Sequence, residues 1–320
     1  MDLTQPTARK LLLVASTGGH LAQLVRLAPG LGAAPDSLWV TFDSPQSRSL
    51  LQGCRRVYVP YVRPRDYRGV LRTASIIHRI LAHERFDGAV STGAAVAVSA
   101  LPQAAMAGIP SVYIESVSRV EGPSVSGRIL AASHMVTLRT QHDAWKHGRW
   151  ELYPSVLSTY VSVPRGAAVH PKLFVTLGTI EGYRFDALID AVLATGLADE
   201  STIWQLGYTS GRRNLPGTVF EHMDAAQFAA ASREADVVVT HAGVGSILGF
   251  LESGIYPVVV TRRKARHEHV DDHQLQIAQL AANLHVAESV DAPDLTAAVI
   301  LSAAGKAIDT GSLPTITRAQ

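Results

Sequence analysis

The sequence has one cysteine, Cys54, in 320 residues. That excludes an internal disulfide and fits a reducing, cytoplasmic setting, in solution or at the inner face of the plasma membrane. Cys54 reads as a small buried side chain rather than a nucleophile. Net charge is also scarce, at +2, so there is no bulk attraction to nucleic acid and no nucleic-acid partner is expected. Met1 to Lys10 is polar and lacks the apolar core of a signal peptide. The P-loop pattern G-x-x-x-x-G-K-[ST] is missing altogether. One uncharged stretch, 88–114, is long enough to span a bilayer. Gly93, Pro102, Gly108 and Pro110 interrupt it, and small residues dominate it, so it reads as buried strand, helix, strand. Any contact with a membrane is therefore expected to be peripheral.

The length suits two domains of ordinary size, and 47 % apolar residues is normal for a globular chain. Lys10 to Ser16 predicts a buried first strand, followed by the turn Thr17-Gly18-Gly19-His20 and a helix reaching Gly30 or Gly32. Strands are expected at Leu38 to Phe42, Val57 to Pro60, Gly88 to Ser91 and Ser111 to Glu115, with a further helix and strand around Arg128 to Leu138. Strands alternating with helices predict parallel α/β sheets covered on both faces. Pro154, Pro164 and Pro171 mark a linker. The predicted division is an α/β domain over 1–155, a linker over 156–171 and a second α/β domain over 172–320, restarting at Lys172 to Leu177 with its own turn, Gly178-Thr179.

The most informative stretch runs from Asp236 to Gln274. An apolar run, Val237 to Val239, ends in Thr240-His241-Ala242-Gly243-Val244-Gly245-Ser246. A helical pattern follows and stops at Gly254, and a second buried run covers Pro257 to Val260. Glycines at such a turn let backbone N–H groups approach a ligand, and a helix start adds partial positive charge. This makes a natural diphosphate site. It is not a dinucleotide fingerprint, because Leu248 stands where the third glycine is needed. Beyond the second strand lie Arg262-Arg263-Lys264 and His267-Glu268-His269-Val270-Asp271-Asp272-His273-Gln274. Ligands of open α/β sheets bind outside the carboxyl ends of strands, so both polar clusters are expected on one edge.

These motifs carry a resemblance. THAGVGS, a Pro-Val-Val-Val strand, a basic turn and EHVDDHQ resemble the donor half of bacterial exopolysaccharide glycosyltransferases. These are similar to the catalytic subunit of the eukaryotic dolichol-linked GlcNAc transferase and, more distantly, to the peptidoglycan GlcNAc transferase that makes lipid II. In the first half, Ser16-Thr17-Gly18-Gly19-His20, Ser91-Thr92-Gly93-Ala94-Ala95, Tyr113 to Arg119 and Ser124 to Gly127 resemble the membrane-associated partner subunit. The chain thus looks like a fusion of the two subunits. The resemblance implies a GT-B architecture of two Rossmann-like parallel-sheet domains facing across a cleft, with Gly18 to His20 on one wall and Gly243 to Ser246 on the other. It also implies an inverting, metal-independent transfer from a UDP-sugar, used as co-substrate with no cofactor, to a lipid-linked sugar acceptor. One departure concerns the ribose. Where the family places a glutamate after the HAG-x-G-S turn this chain has Gly249, and Glu252 lies one turn on, either as its substitute or as a solvated helix residue.

Sugar transfer needs a base for the acceptor hydroxyl and stabilisation of the departing diphosphate. His20 is the first candidate base, at the end of the first strand and titrating in the useful range. Glu115, also at a strand end, is its rival. His241 is expected to buttress its turn. Gly178, Thr179, Gly243, Gly245 and Ser246 suit the diphosphate, with Arg262 or Arg263 adding a cation. His273 and Gln274 suit the sugar hydroxyls. Gly18, Gly19, Thr92, Gly93, Ser116 and Arg119 are the candidate acceptor residues. The histidine cluster departs from the hydrolase signature H-x-H-x-D-H, because Asp272 intervenes before His273, so no metal is expected. Arg63, Arg65, Arg68 and Arg72 form either a solvated face or a seat for acidic headgroups. The competing readings are an epimerase or hydrolase acting on nucleotide sugars, a transferase with a soluble acceptor, and a non-catalytic binder.

Overall fold

The computed structural model describes residues 8–62, 67–166, 168–178, 183–263, 266, 268 and 273–309. The chain divides into two compact units after Val156.

The first unit begins with β1 (Leu11–Ala15) and α1 (Gly19–Leu27). The helix stops short of Gly30, since Pro29 has no N–H with which to continue it. β2 (Leu38–Phe42), α2 (Pro45–Leu50) and β3 (Arg56–Val59) follow. The sequence reading did not include α2, whose start is fixed by a reciprocal cap: Ser44 Oγ accepts the Ser47 N–H and Ser47 Oγ accepts the Ser44 N–H. Cys54, just beyond α2, is half-buried. The uncharged stretch forms β4 (Gly88–Gly93), α4 (Ala95–Met106) and β5 (Ser111–Ile114), preceded by α3 (Tyr67–His83). α5 (Val125–Ser133), β6 (Thr137–Thr140) and a short β7 (Trp150–Leu152) complete the unit. Among the described residues the sheet has seven strands in the order β3-β2-β1-β4-β5-β6-β7, every pair parallel. β1, β2, β4 and β5 are buried at every position. Strands buried along their whole length are what a parallel sheet covered on both faces demands. No helix among the described residues is long and apolar enough to cross a membrane.

The second unit contains β8 (Val161–Pro164), β9 (Leu173–Thr176), α6 (Asp186–Ala194), β10 (Ile203–Gln205), β11 (Thr218–Phe220) and α7 (Ala225–Glu234). It continues with β12 (Val237–His241), α8 (Val244–Glu252), β13 (Val258–Thr261), α9 (His273–Asn283), β14 (Glu288–Asp291), α10 (Ala297–Ala304) and β15 (Lys306–Asp309). Its main sheet, all parallel, runs β11-β10-β9-β12-β13-β14. Of the stretch expected as a linker over 156–171, all but Val156 falls instead in this unit. β8 pairs antiparallel with β15, and Arg165 bridges to Asp236 at 2.6 Å. Prolines excluded a helix there, but Pro164 sits at a strand end, where a missing N–H is tolerated.

Both sheets start at their first strand, build outward on one side, then return to add strands on the other. Each therefore has a switch point, between β1 and β4 in the first unit and between β9 and β12 in the second. Beyond the carboxyl ends of such strands the chain leaves a crevice in which ligands of α/β sheets bind.

Candidate active site

At the first switch point the register of β1 against β4 slips by one residue. Val14 pairs with Ser91 and Ala15 with Gly93, so Thr92 bulges out of the ladder. Bulges re-aim groups at strand ends. Here the Thr92 carbonyl accepts the Nδ1–H of His20 at 2.8 Å, and Thr92 Oγ1 donates to the His20 carbonyl at 2.6 Å. Gly93, at φ +137°, has no side chain because a Cβ would lie 2.6 Å from the imidazole. Gly18, at φ +83°, opens α1 and is clamped by Gln46, whose Oε1 accepts the Gly18 N–H at 2.6 Å. Gly18, Gly19, Thr92 and Gly93, expected to hold the acceptor, are thus gathered around His20.

A carbonyl oxygen can only accept, so His20 carries its neutral-state proton on Nδ1 and leaves the Nε2 lone pair available. Burial pushes the His20 pKa below its usual value, against the raising effects of the Thr92 hydrogen bond and the Glu115 charge, while the charge of Arg119 lowers it further. The imidazole is therefore neutral at neutral pH, as a base must be.

Glu115 is placed differently from the expectation of a rival base. It is 1 % exposed. One oxygen accepts the Tyr113 hydroxyl at 2.9 Å and the Ser116 N–H at 3.2 Å. The other accepts the Ser124 N–H at 2.8 Å and the Ser124 hydroxyl at 3.0 Å. A Cβ on Gly127 would collide with this carboxylate. Where the sequence suggested a rival base, the structure shows both oxygens engaged in ordering the 115–127 loop. Ser116, 3 % exposed, is likewise committed, because its hydroxyl accepts Gln23 Nε2 at 3.0 Å and pairs with Ser118. Arg119 is exposed, with its carbonyl held by Trp145 Nε1 at 2.9 Å.

Two glutamines outside the motifs tie this loop to α1. Gln23 Nε2 also donates to the Gly19 carbonyl at 3.0 Å, and its Oε1 accepts the Val117 N–H at 2.9 Å and Gln141 Nε2 at 3.1 Å. Gln141 donates in turn to the Glu115 carbonyl at 2.9 Å. His142 Nε2 donates to the Val117 carbonyl at 2.6 Å. Apart from Gln23 and Gly19, four positions apart, these partners lie 25 to 118 positions apart, so no local pattern announces them.

At the second switch point, β12 ends in His241 and Gly243 is the N-cap of α8, with no side-chain cap. The first-turn amides of Val244, Gly245 and Ser246 have no acceptor within the helix. The Gly243 N–H bonds the His241 carbonyl at 2.8 Å, and a Cβ on Gly243 would lie 2.7 Å from His241 Nε2, so the imidazole tucks against the turn. Gly245 is exposed with open space where a Cβ would point. Gly178 follows β9 at the same edge.

The two neighbouring arginines differ. Arg263, expected as a diphosphate cation, makes a bidentate pair with Asp291, Nη2 to Oδ2 at 2.7 Å and Nε to Oδ1 at 3.1 Å. Arg262 is fully buried, and its three guanidinium nitrogens have no hydrogen-bond partner among the described residues. Burial brings its pKa down to about 10, opposed by the charge of Glu268, so it remains a cation at neutral pH. Glu252, the candidate substitute for the ribose glutamate, is exposed. It closes α8, about 12 Å from the first turn at 1.5 Å per residue, and its Oε1 accepts the Tyr160 hydroxyl at 2.5 Å. Gly249, nearer the helix start, faces open space.

His273 and Gln274 open α9, with side chains outside the described residues. Thr179, His267, His269, Asp271, Asp272, Lys264, Arg63 and Arg65 lie outside them as well, as does the Arg68 side chain, while Arg72 is exposed on α3. Among the described residues no group of three His, Cys, Asp or Glu could hold a metal.

Residues 186–307 match the Glycosyltransferase family 28 C-terminal domain. That span contains the β12–α8 turn, Arg262 and Arg263. A segment is 34 % identical over 124 residues to the UDP-N-acetylglucosamine transferase subunit ALG13 of Yarrowia lipolytica (strain CLIB 122 / E 150), covering 33 % of this chain and 58 % of that protein. The chain thus spans little more than half the length of that relative. Over nearly the whole chain the fold is similar to solved structures. MurG of Acinetobacter baumannii superposes with a TM-score of 0.52 at 20 % identity, covering 92 % of this chain and 89 % of that one. The glycosyltransferase SnogD from Streptomyces nogalater gives 0.53 at 18 %, covering 93 % and 92 %. Arabidopsis thaliana UGT89C1 complexed with UDP-L-rhamnose gives 0.54 at 14 %, covering 93 % and 90 %. The fold is the α/β GT-B type, two parallel-sheet units in one chain.

Proposed function

We propose that the chain is a glycosyltransferase that moves a sugar from a UDP-sugar to a sugar linked to a lipid diphosphate, with inversion and without a metal. The observation that carries this reading is the uncapped start of α8 at the switch point of the second sheet, inside the segment that matches the family 28 C-terminal domain. Uncapped amides and a helix N-terminus bind a diphosphate and take up the charge that grows on it as it departs. The similarity to a UDP-N-acetylglucosamine transferase subunit supports UDP as the nucleotide.

His20 supplies the base. Its Nε2 takes the proton of the acceptor hydroxyl as that oxygen bonds to the anomeric carbon. The bond from the anomeric carbon to the β-phosphate oxygen breaks, and UDP leaves with the electron pair. A single displacement of this kind inverts the anomeric centre. Glu115, Gln23 and Gln141 hold the loop beside His20 and take no proton. The likeness of the first half to a membrane-associated subunit supports a position at the inner face of a membrane and a part in polysaccharide synthesis. Exposed Val125 and Ile129, one turn apart on α5 beside Arg128, support a peripheral contact there.

The test is a panel of UDP-sugars offered with a lipid-diphosphate-linked sugar, with products weighed by mass spectrometry. The expected product is the acceptor plus one sugar residue. Free sugar or an isomerised nucleotide sugar as the sole product would replace this reading with a hydrolase or epimerase, and transfer only to water-soluble acceptors would replace the lipid-linked one.

A further inference from the structure

In the second sheet β12 lies between β9 and β13. Arg262 follows β13 and Gly178 follows β9, yet the two meet: a Cβ on Gly178 would lie 2.8 Å from both terminal nitrogens of Arg262. The arginine side chain therefore runs past the carboxyl end of β12, where the chain turns into α8. Its guanidinium lies 5.3 Å from the centre of the Phe185 ring. The residue is 0 % exposed, and Nε, Nη1 and Nη2 have no hydrogen-bond partner among the described residues. The carboxylate that acts on it electrostatically, Glu268, is engaged elsewhere, accepting the Arg263 N–H at 2.9 Å and Arg266 Nε at 3.1 Å.

A buried guanidinium without acceptors is unusual, because each unmet donor keeps its full desolvation cost. Stability alone does not account for it, since an apolar side chain of the same length would fill the space at no such cost. Function does account for it if the acceptor arrives with a ligand. Resting on the UDP-sugar reading above, we propose that Arg262 is the cation of the donor site, kept unpaired in the free protein so that a nucleoside diphosphate supplies its hydrogen-bond acceptors. Arg263 then braces the strand end through Asp291, and glycine at 178 is what leaves room for the guanidinium.

This assignment predicts opposite changes in two properties. Arg262→Met keeps the length of the side chain and removes the charge. The free protein should then melt about 2–4 °C higher, while UDP binds about ten- to a hundredfold more weakly. Uridine, which has no phosphate, should bind both proteins equally. Arg262→Lys, which retains a point charge but not the planar fork, should fall between them in UDP affinity. The measurements are calorimetric titration of the full chain with UDP and with uridine, without added divalent metal, and thermal melts of the same samples. If wild type fails to bind UDP, the donor reading itself is wrong. If wild type binds UDP and Arg262→Met binds it equally well, the donor reading stands and the Arg262 assignment falls. An Arg262→Met protein that melts lower than wild type or does not fold would make the arginine a structural group and overturn the assignment too.

Discussion

His20 and Thr92 hold each other at both ends. The Thr92 carbonyl takes the imidazole Nδ1–H at 2.8 Å, and the Thr92 hydroxyl returns a bond to the His20 carbonyl at 2.6 Å. Seventy-two positions of sequence separate them. The exchange fixes ring orientation and tautomer together, which a base acting through Nε2 requires.

Gly93→Ala tests that arrangement from the side of the glycine. The added Cβ would sit 2.6 Å from the ring at a backbone φ of +137°, so the imidazole has to move. Turnover should fall towards that of a protein without the base, roughly 10²–10⁴-fold, while UDP affinity stays within a few-fold. Steady-state kinetics beside a UDP titration would show it. Unchanged turnover would mean that the ring position is immaterial.

The lowered pKa of His20 gives two pH dependences. As base it is active when neutral, so the acid limb of kcat/KM should lie below the usual imidazole value of about 6.5. Stability follows the same group. In the window between the lowered folded value and about 6.5, the unfolded chain binds the proton and the folded one does not, so stability is complete above that window and is lost as pH falls through it. Denaturant unfolding from pH 5 to 8 should show this loss in wild type and a smaller one in His20→Asn.

Gly245→Asp probes the helix start. The position is exposed and open, so nothing clashes, and an acidic residue in the first turn is favourable to a helix. The melting temperature should hold or rise while UDP binding is lost, because a carboxylate now occupies the place of the phosphate. Calorimetry showing wild-type affinity would remove α8 from the donor site.

Much of this was legible from short-range pattern. The buried strands announced themselves as apolar runs, and the glycine turns after β1, β4, β9 and β12 marked the sheet edges, where His20 sits in the first unit and Gly178 and Gly243 sit in the second. What was not legible depends on partners far apart in sequence. Glu115 at a strand end looks like a base until Ser124 and Gly127 fold onto it. Arg262 and Arg263 are equivalent as letters and become different only when Asp291 claims one of them. Gln23 and Gln141 carry no motif, yet both organise the loop next to His20. The prolines of the 156–171 stretch read as a linker because β8 has its partner, β15, at the far end of the unit.

The most direct test of the account compares His20→Ala with Glu115→Gln for turnover, UDP affinity and melting temperature. His20→Ala should lose roughly 10²–10⁴-fold in turnover with UDP affinity unchanged, since a base acts in the transition state and not in donor binding. Glu115→Gln presents an amide N–H₂ to a shell made of donors, so it should lower the melting temperature and retain measurable turnover. If His20→Ala stays within a few-fold of wild type while Glu115→Gln is folded, as stable as wild type and inactive, the base is Glu115 and the account of the site given above is wrong.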